Sequence, residues 1–188
     1  IVDFSEVESP IVLYHLEGTD YPESGYNHSG WLSDDGNYYY MADETWGTPI
    51  KVFDVSDLEN ILYKRSFDAG NDSPFSISHN QLIACDYLYS SYYYDGLQVF
   101  DISIPEDPQR VLYVPTSSLS PQASYEGAWG VYPFLPSGNI LVSDMQNGLF
   151  IIQAIDSQCN TLAEVHNENI EYNIRIIPNP NDGQFQII

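Results

Sequence analysis

The sequence predicts an all-β protein built from β-propeller blades, with about three blades present. One phrase recurs along the chain at intervals of roughly 50 residues, which is a spacing typical of propeller repeats. Each interval contains several short apolar segments separated by turn residues, and no segment has the 3.6-residue period of an amphipathic helix. With 43% hydrophobic and 14% aromatic residues in 188 positions, the chain is able to bury a core.

The repeated phrase is apolar-Asp-apolar-Ser, then an acidic turn, then a second apolar segment. It reads VDFSEVESPIVLY, FDVSDLENILY and FDISIPEDPQRVLY, with its aspartate at Asp3, Asp54 and Asp101. A degraded fourth copy, GLFIIQAI, has Gln153 in the place of that aspartate. Asp and Ser at a strand end close turns by accepting hydrogen bonds from nearby backbone N–H groups, so we expect a structural role here. A calcium role is the alternative, and it needs further oxygen ligands.

Each repeat unit contains four short segments in the same order. In the second unit, SISHNQLIA turns at Cys85-Asp86 into YLYSSYYY, which turns at Asp95-Gly96 into LQVFDIS, and RVLYV follows. Four strands joined by tight turns predict an antiparallel meander, and sheets of this kind stacked side by side are propeller blades. Three blades do not close a ring, so we expect the remaining blades to come from the same polypeptide or from other chains.

The fourth strand of each blade is expected to lie at the outer edge. These strands are IVLYHL, ILYKRSF and RVLYV, and they carry three of the few cations of the chain, Lys64, Arg65 and Arg110. Charged side chains on an edge strand hinder pairing with other chains. The position of the cations therefore supports an exposed edge.

Composition excludes several classes of function. The chain has 27 acidic and 5 basic residues, a net charge of −22, so it lacks the cations that neutralise phosphates in nucleic-acid binding. No apolar run approaches the length of about 18 residues that spans a bilayer. Cys85 and Cys159 are too few for a disulfide scaffold, and a single bridge and two thiols both remain open.

Longer strings of the sequence resemble a known family. The strings HSGWLSDDGNYYYMADE, SHNQLIACDYLYSSYYYDGLQVFDIS and GAWGVYPFLPSGNILVSDMQNGLFII are similar to the last blades of choice-of-anchor B proteins, and the repeated phrase resembles their LVIVD repeat. The resemblance covers residues 1–155. It implies an extracellular protein that carries one of several interchangeable anchors or sorting tails.

The C-terminal segment resembles such a tail. YNIRIIPNPNDGQFQII is similar to the first strands of the C-terminal sorting domain of type IX secretion, a β-sandwich. Residues 156–170 would be a linker and residues 171–188 the truncated start of that domain. The resemblance implies outer-membrane secretion machinery as a partner and an extracellular or outer cell-surface location. An ordinary Pro/Asn/Gly-rich hairpin is the alternative, and since the chain starts without Met we expect the natural polypeptide to be longer.

The most promising functional residues are two histidines at the start of successive blades. His28 and His79 begin the first strand of their blades, and Trp129 lies near that level in the third. Two-residue turns set His28 opposite Asp43 and His79 opposite Tyr92 across their hairpins. Loops that join second and third strands lie on this face, beside the central channel, where a binding site would form.

These residues define two candidate sites. The ligand-binding candidates are Trp46, Tyr92 and Trp129, and the candidate ligands of a divalent metal are His28, Asp43, Glu44 and His79. Imidazole nitrogens with one or two carboxylate oxygens suit zinc, copper or iron better than calcium. Hydrogen bonds that only orient neighbouring strands are the structural alternative for both histidines.

The sequence supports two hypotheses about function. The chain has no phosphate-binding loop, no G-x-S-x-G elbow, no C-x-x-C pair and no H-E-x-x-H helix, and no catalytic residue is indicated. The leading hypothesis is therefore a secreted or cell-surface propeller that acts as a binding or structural module. The alternative is a metal-dependent extracellular enzyme whose His/carboxylate site lies at the mouth of the channel.

Overall fold

The computed structural model describes residues 1–71 and 73–153, together with two short strands near the C-terminus. All regular structure in the described residues is β-strand, arranged in antiparallel sheets. Within the same residues there is no helix long and apolar enough to cross a membrane. The all-β prediction is confirmed.

Two four-stranded sheets and one three-stranded sheet follow one another along the chain. The first sheet contains β3 (Asn27–Leu32), β4 (Tyr38–Asp43), β5 (Ile50–Asp54) and β6 (Leu62–Phe67), in that order. The second sheet contains β7 (Asn80–Ala84), β8 (Tyr87–Ser91), β9 (Leu97–Asp101) and β10 (Gln109–Val114). The third sheet contains β11 (Ala128–Tyr132), β12 (Ile140–Asp144) and β13 (Gly148–Ile152). Sheets in which sequential strands are neighbours are the predicted propeller blades.

A short strand pair precedes the first sheet. It consists of β1 (Val2–Asp3) and β2 (Ile11–Val12), which are antiparallel, with Asp3 opposite Ile11. The same pairing recurs where Asp54 lies opposite Leu62 and where Asp101 lies opposite Gln109. The two strands therefore correspond to the third and fourth strands of a blade.

The core lies between neighbouring sheets. Tyr40 and Val52 of the first sheet pack with Leu88 and Phe100 of the second. On its other face the second sheet packs against the third through a separate apolar cluster, in which Tyr89 is fully buried. The second sheet is therefore covered on both faces.

The innermost and outermost strands follow the prediction. β7 contacts both β3 and β11, so the first strands of the three sheets lie together. Ile83 of β7 is fully buried, whereas Leu62 of β6 and Val111 of β10 are 46% and 47% exposed. The fourth strands are therefore the outer edges.

The cations of these edges also connect the first two sheets. Lys64 Nζ lies 2.6 Å from Glu106 Oε1 and Arg65 Nη1 lies 2.7 Å from Asp107 Oδ1, both acids being in the turn between β9 and β10. Arg110 donates a hydrogen bond to the carbonyl of Ala69. The cations thus join neighbouring sheets in addition to occupying an edge.

The Asp and Ser residues of the repeated phrase close turns. The N–H groups of Ser5, Ser56 and Ser103 donate to the carboxylates two residues earlier, at 2.8, 3.1 and 2.9 Å. Hydrogen bonds to the charged form lower the pKa of Asp3 and of Asp54, with those from the serine hydroxyl being the largest cause. The predicted structural role is confirmed for all three copies.

The predicted register of the first hairpin fails at one position. Ser29 lies opposite Ala42 and Leu32 opposite Tyr39, as predicted, but a β-bulge follows and Asn27 lies opposite Asp43. The predicted pairing of His28 with Asp43 is therefore wrong, because a bulge inserts one unpaired residue into a strand. In the second hairpin the pairs from Asn80 to Ala84 have the predicted register.

The C-terminal predictions fall mostly on residues that the structure does not describe. The linker 156–170 and Cys159 lie outside the described residues, as does most of 171–188. Two strands are described there, β14 (Ile176–Ile177) and β15 (Gln186–Ile187), and they pair antiparallel. The sorting-domain assignment remains a prediction.

Candidate functional site

One end of the three sheets collects the polar residues singled out in the sequence. First strands begin and second strands end here, because the strands of each hairpin are antiparallel. His28 lies in β3, Glu44 directly follows β4, His79 directly precedes β7, and Trp129 lies in β11. The blade repeat therefore brings residues distant in sequence to a common face.

His28, Glu44 and His79 form an imidazole–carboxylate cluster. The Nε2 atoms of the two histidines are 3.1 Å apart. Glu44 Oε2 lies 3.3 Å from Nδ1 of His28, and Glu44 Oε1 lies 3.9 Å from Nε2 of His79. One potential ligand atom from each residue lies within 4.8 Å of the others.

Two β-bulges adjoin this face. One lies in β3 at His28 and the other in β11 at Trp129, where Gly130 already pairs with Ser143. A bulge bends its strand and redirects the side chain of the extra residue. In the first sheet, it places His28 beside His79 of the next sheet instead of opposite Asp43.

The orientation of His79 is fixed by Trp129. Nδ1 of His79 lies 2.6 Å from the carbonyl of Trp129, so this nitrogen carries a proton and donates it. The indole N–H of Trp129 donates to Nε2 of His79 at 2.5 Å. Burial lowers the pKa of His79, opposed by the hydrogen bond to the Trp129 carbonyl, and a neutral ring with its lone pair on Nε2 agrees with both contacts.

Asp43, a predicted metal ligand, lies away from the cluster. Its Oδ2 atom is 2.7 Å from Nζ of Lys51 and accepts a hydrogen bond from the N–H of Gly25 at 3.0 Å. The side chains of Asp43 and Lys51 are both 0% exposed. The bulge and this ion pair hold the carboxylate inside the first sheet. The prediction that Asp43 joins the histidines as a metal ligand is therefore corrected.

Tyr92, a predicted ligand-binding residue, is a core residue instead. It is 1% exposed and belongs to the apolar cluster between the first and second sheets. A side chain enclosed in this way has no surface to offer a ligand on the face. The next residue, Tyr93, reaches the site.

Tyr93 connects the cluster with the aromatic residues around it. Its hydroxyl donates a hydrogen bond to Glu44 Oε1, and its ring centroid lies 5.1 Å from that of His79. Burial and the neighbouring Glu44 raise the pKa of Tyr93, which keeps the hydroxyl protonated. Tyr38 pairs with Asp54 and Tyr87 with Asp101, so alignment on these pairs would have matched Tyr93 with Glu44.

Aromatic rings extend from the cluster in a continuous aromatic band. Ring centroids are 5.6 Å apart for Tyr93 and Tyr125, 5.6 Å for Tyr125 and Trp46, and 5.5 Å for His79 and Trp129. The exposed members of the band are Trp46, Tyr125 and Trp129. Trp46 and Trp129, both predicted ligand-binding residues, are thus on the same face as the cluster.

Comparisons with known proteins find solved structures with weak similarity to the chain. No family model and no curated protein sequence matches the chain. A candidate 6-phosphogluconolactonase from Bacteroides fragilis is similar with a TM-score of 0.48 and 16% identity, over 68% of this chain and 39% of that chain. The periplasmic gluconolactonase PpgL from Pseudomonas aeruginosa gives a TM-score of 0.43 and 14% identity, over 79% and 44%. This chain spans less than half the length of either structure.

Proposed function

We propose that the chain belongs to an exported β-propeller that binds an extracellular ligand on the face carrying the imidazole–carboxylate cluster. The observation that carries this proposal is the combination of exposed aromatic rings with polar groups at one end of all three sheets. Trp46 and Tyr125 are 39% and 48% exposed, and their rings contact each other. Tyr125 also contacts Tyr93, whose hydroxyl donates to Glu44, and Glu44 contacts His28. A small number of polar groups placed among aromatic side chains is characteristic of ligand sites.

The chemistry of the face favours a neutral, hydroxyl-rich ligand such as an oligosaccharide. Aromatic rings pack against the C–H faces of such a ligand, while carboxylates accept hydrogen bonds from its hydroxyl groups. A net charge of −22 opposes the approach of an anionic ligand. Acidic oligosaccharides are therefore expected to bind more weakly than neutral ones.

Two tryptophans of nearly equal exposure provide the binding test. Trp46 is 39% exposed and belongs to the aromatic band, whereas Trp31 is 40% exposed in β3 and contacts Phe134 instead. On a panel of neutral and acidic oligosaccharides, Trp46→Ala should lose the neutral ligand that wild-type protein binds, and Trp31→Ala should retain it. Equal binding by both variants, or no binding by the wild type, would refute the proposal.

Export is supported by the sequence resemblance of residues 171–188 to a sorting domain and by the acidic composition. Deleting residues 171–188 in the native host should leave the propeller inside the cell envelope, whereas the complete protein should reach the outer surface or the medium. Fractionation with an antibody to the propeller measures this. Unchanged surface delivery of the truncated protein would exclude the sorting role.

A metal-dependent enzyme remains the second candidate. The observation in its favour is the 3.3 Å contact between Glu44 and His28, because a histidine that binds a metal commonly has its second ring nitrogen beside a carboxylate or a carbonyl. Turnover of an oligosaccharide or ester panel that requires added metal, and that disappears in His28→Ala, would support it. Binding of the oligosaccharide without turnover would support the proposed ligand-binding propeller instead.

A further inference from the structure

We propose that His28, His79 and Glu44 form a binding site for one divalent transition-metal ion, with Nε2 of each histidine and a Glu44 carboxylate oxygen as the protein ligands. The inference rests on the proposed function in one respect, because it assigns a component to the same face.

The two imidazoles direct acceptor nitrogens toward one place. His79 donates from Nδ1 to the Trp129 carbonyl, which leaves its lone pair on Nε2. Nε2 of His28 lies 3.1 Å from that lone pair, while Nδ1 of His28 lies 3.3 Å from a Glu44 oxygen. With its proton on Nδ1 toward Glu44, His28 has its lone pair on Nε2, so two acceptor nitrogens lie 3.1 Å apart with no proton of either ring between them.

A metal ion removes this conflict. His28 keeps its proton at Nδ1 toward Glu44, and the metal ion accepts the lone pairs of both Nε2 atoms. One ligand atom from each of His28, His79 and Glu44 lies within 4.8 Å of the others, so the cluster is compact enough for one ion.

The distances fit a metal ion. Two Zn–N bonds of about 2.05 Å at a tetrahedral angle place their nitrogens about 3.3 Å apart. The observed 3.1 Å between the Nε2 atoms differs from this by a few tenths of an ångström. Glu44 Oε1, 3.9 Å from Nε2 of His79, approaches the same region from the loop after β4.

The surroundings of the cluster support the ligands. Metal-binding histidines usually donate their second N–H to a carbonyl or a carboxylate, and His79 does so to Trp129. The Tyr93 hydroxyl holds Glu44 by a hydrogen bond. Three protein ligands leave a coordination position for water or for a ligand bound on the face.

The chemical class of the ion follows from the donors. Two imidazole nitrogens suit zinc, cobalt, nickel, copper or iron, whereas calcium and magnesium prefer shells made of oxygen. The probe of choice is Zn²⁺ for affinity and Co²⁺ for its visible absorption, which reports the coordination geometry.

Trp129 competes with the metal. Its indole N–H occupies the lone pair of His79 Nε2, so metal binding requires the indole to rotate away. The side chain is able to do so because Trp129 is 50% exposed, while its carbonyl stays bonded to His79. Removing the N–H by Trp129→Phe should therefore strengthen metal binding by about 5-fold, the equivalent of one hydrogen bond.

The experiment titrates chelator-treated protein with Zn²⁺ and with Co²⁺ and records tryptophan fluorescence and Co²⁺ absorption. Wild-type protein should bind one ion, with a change in fluorescence. His28→Ala should weaken binding at least about 100-fold, since even loss of a residue behind the ligands costs 10- to 100-fold. His15→Ala is the matched control and should bind as the wild type does, because His15 is exposed and lies outside the cluster.

His79 is buried, so His79→Gln is added to His79→Ala in case the smaller side chain impairs folding. Absence of binding by the wild type, or equal binding by His28→Ala, His79→Gln and the wild type, would overturn the metal site. Neither outcome affects the oligosaccharide test with Trp46→Ala and Trp31→Ala. The two proposals therefore fail separately.

Discussion

Asp43 and Glu44 are adjacent acids at the end of one strand, yet they belong to different environments. Asp43 is fully buried and paired with Lys51, whereas Glu44 lies on the face with His28, His79 and Tyr93. Successive side chains of an extended segment point to opposite sides. One step along the chain therefore separates a carboxylate paired inside the first sheet from one on the candidate face.

The second sheet repeats this division with tyrosines. Tyr92 is enclosed in the core, and Tyr93, the next residue, contacts Glu44 and His79. The N–H of Tyr93 also donates to the carbonyl of Ala128 at 3.0 Å, which ties the second sheet to the third. In each pair the first residue is enclosed in the interior, and the following residue lies on the candidate face.

The largest effect is expected from the buried ion pair. Lys51→Met should lower the free energy of unfolding by about 3–5 kcal/mol, because it leaves the Asp43 carboxylate buried without its counter-ion. Urea denaturation measures the loss. Lys64→Met, which removes an exposed ion pair with Glu106, serves as the control and should have much less effect. A comparable loss in both variants would contradict the assigned role of Lys51.

Exchanging each acid for its amide should separate the two roles. Asp43→Asn should destabilise the protein and leave the affinity of the folded protein for Zn²⁺ unchanged. Glu44→Gln should weaken Zn²⁺ binding about 10- to 100-fold with little change in stability. Paired urea and Zn²⁺ titrations measure both quantities. A loss of Zn²⁺ affinity in Asp43→Asn would show that Asp43 contributes to metal binding.

Replacing each tyrosine by phenylalanine should also separate stability from Zn²⁺ binding, with smaller changes in both quantities. Among the described residues the Tyr92 hydroxyl is buried without a hydrogen-bond partner, so Tyr92→Phe should leave stability unchanged or raise it by about 1 kcal/mol. Tyr93→Phe should weaken Zn²⁺ binding several-fold, because Glu44 loses the bond that positions it. Weaker Zn²⁺ binding in Tyr92→Phe would show that the core residue also acts on the site.

The smallest effect is expected at the outer edge. The pair Arg65–Asp107 is exposed and crosses between sheets, so Asp107→Asn should lower the melting temperature only slightly. Salt at about 1 M screens such charges and should abolish the difference from the wild type. A large effect that persists in salt would place the edge among the main stabilising contacts.

Much of this arrangement follows from the repeat in the sequence. The repeated phrase predicts the sheets, their turns and the common level of His28 and His79. The bulge at His28 does not follow from the sequence, because the turn residues fix only a regular register and a bulge adds one residue to one strand beyond it. The role of Lys51 does not follow from the sequence either, since a charged residue inside an apolar strand shows its partner only when the register of β4 and β5 is known.

Anomalous diffraction at the zinc edge, from crystals of the zinc-loaded protein, tests the central claim most directly. The claim predicts one anomalous peak bonded to Nε2 of His28, Nε2 of His79 and a Glu44 oxygen, with the Trp129 indole rotated away and Asp43 still paired with Lys51. A peak bonded to Asp43, or no peak at the cluster while Trp129 keeps its contact with His79, would contradict it.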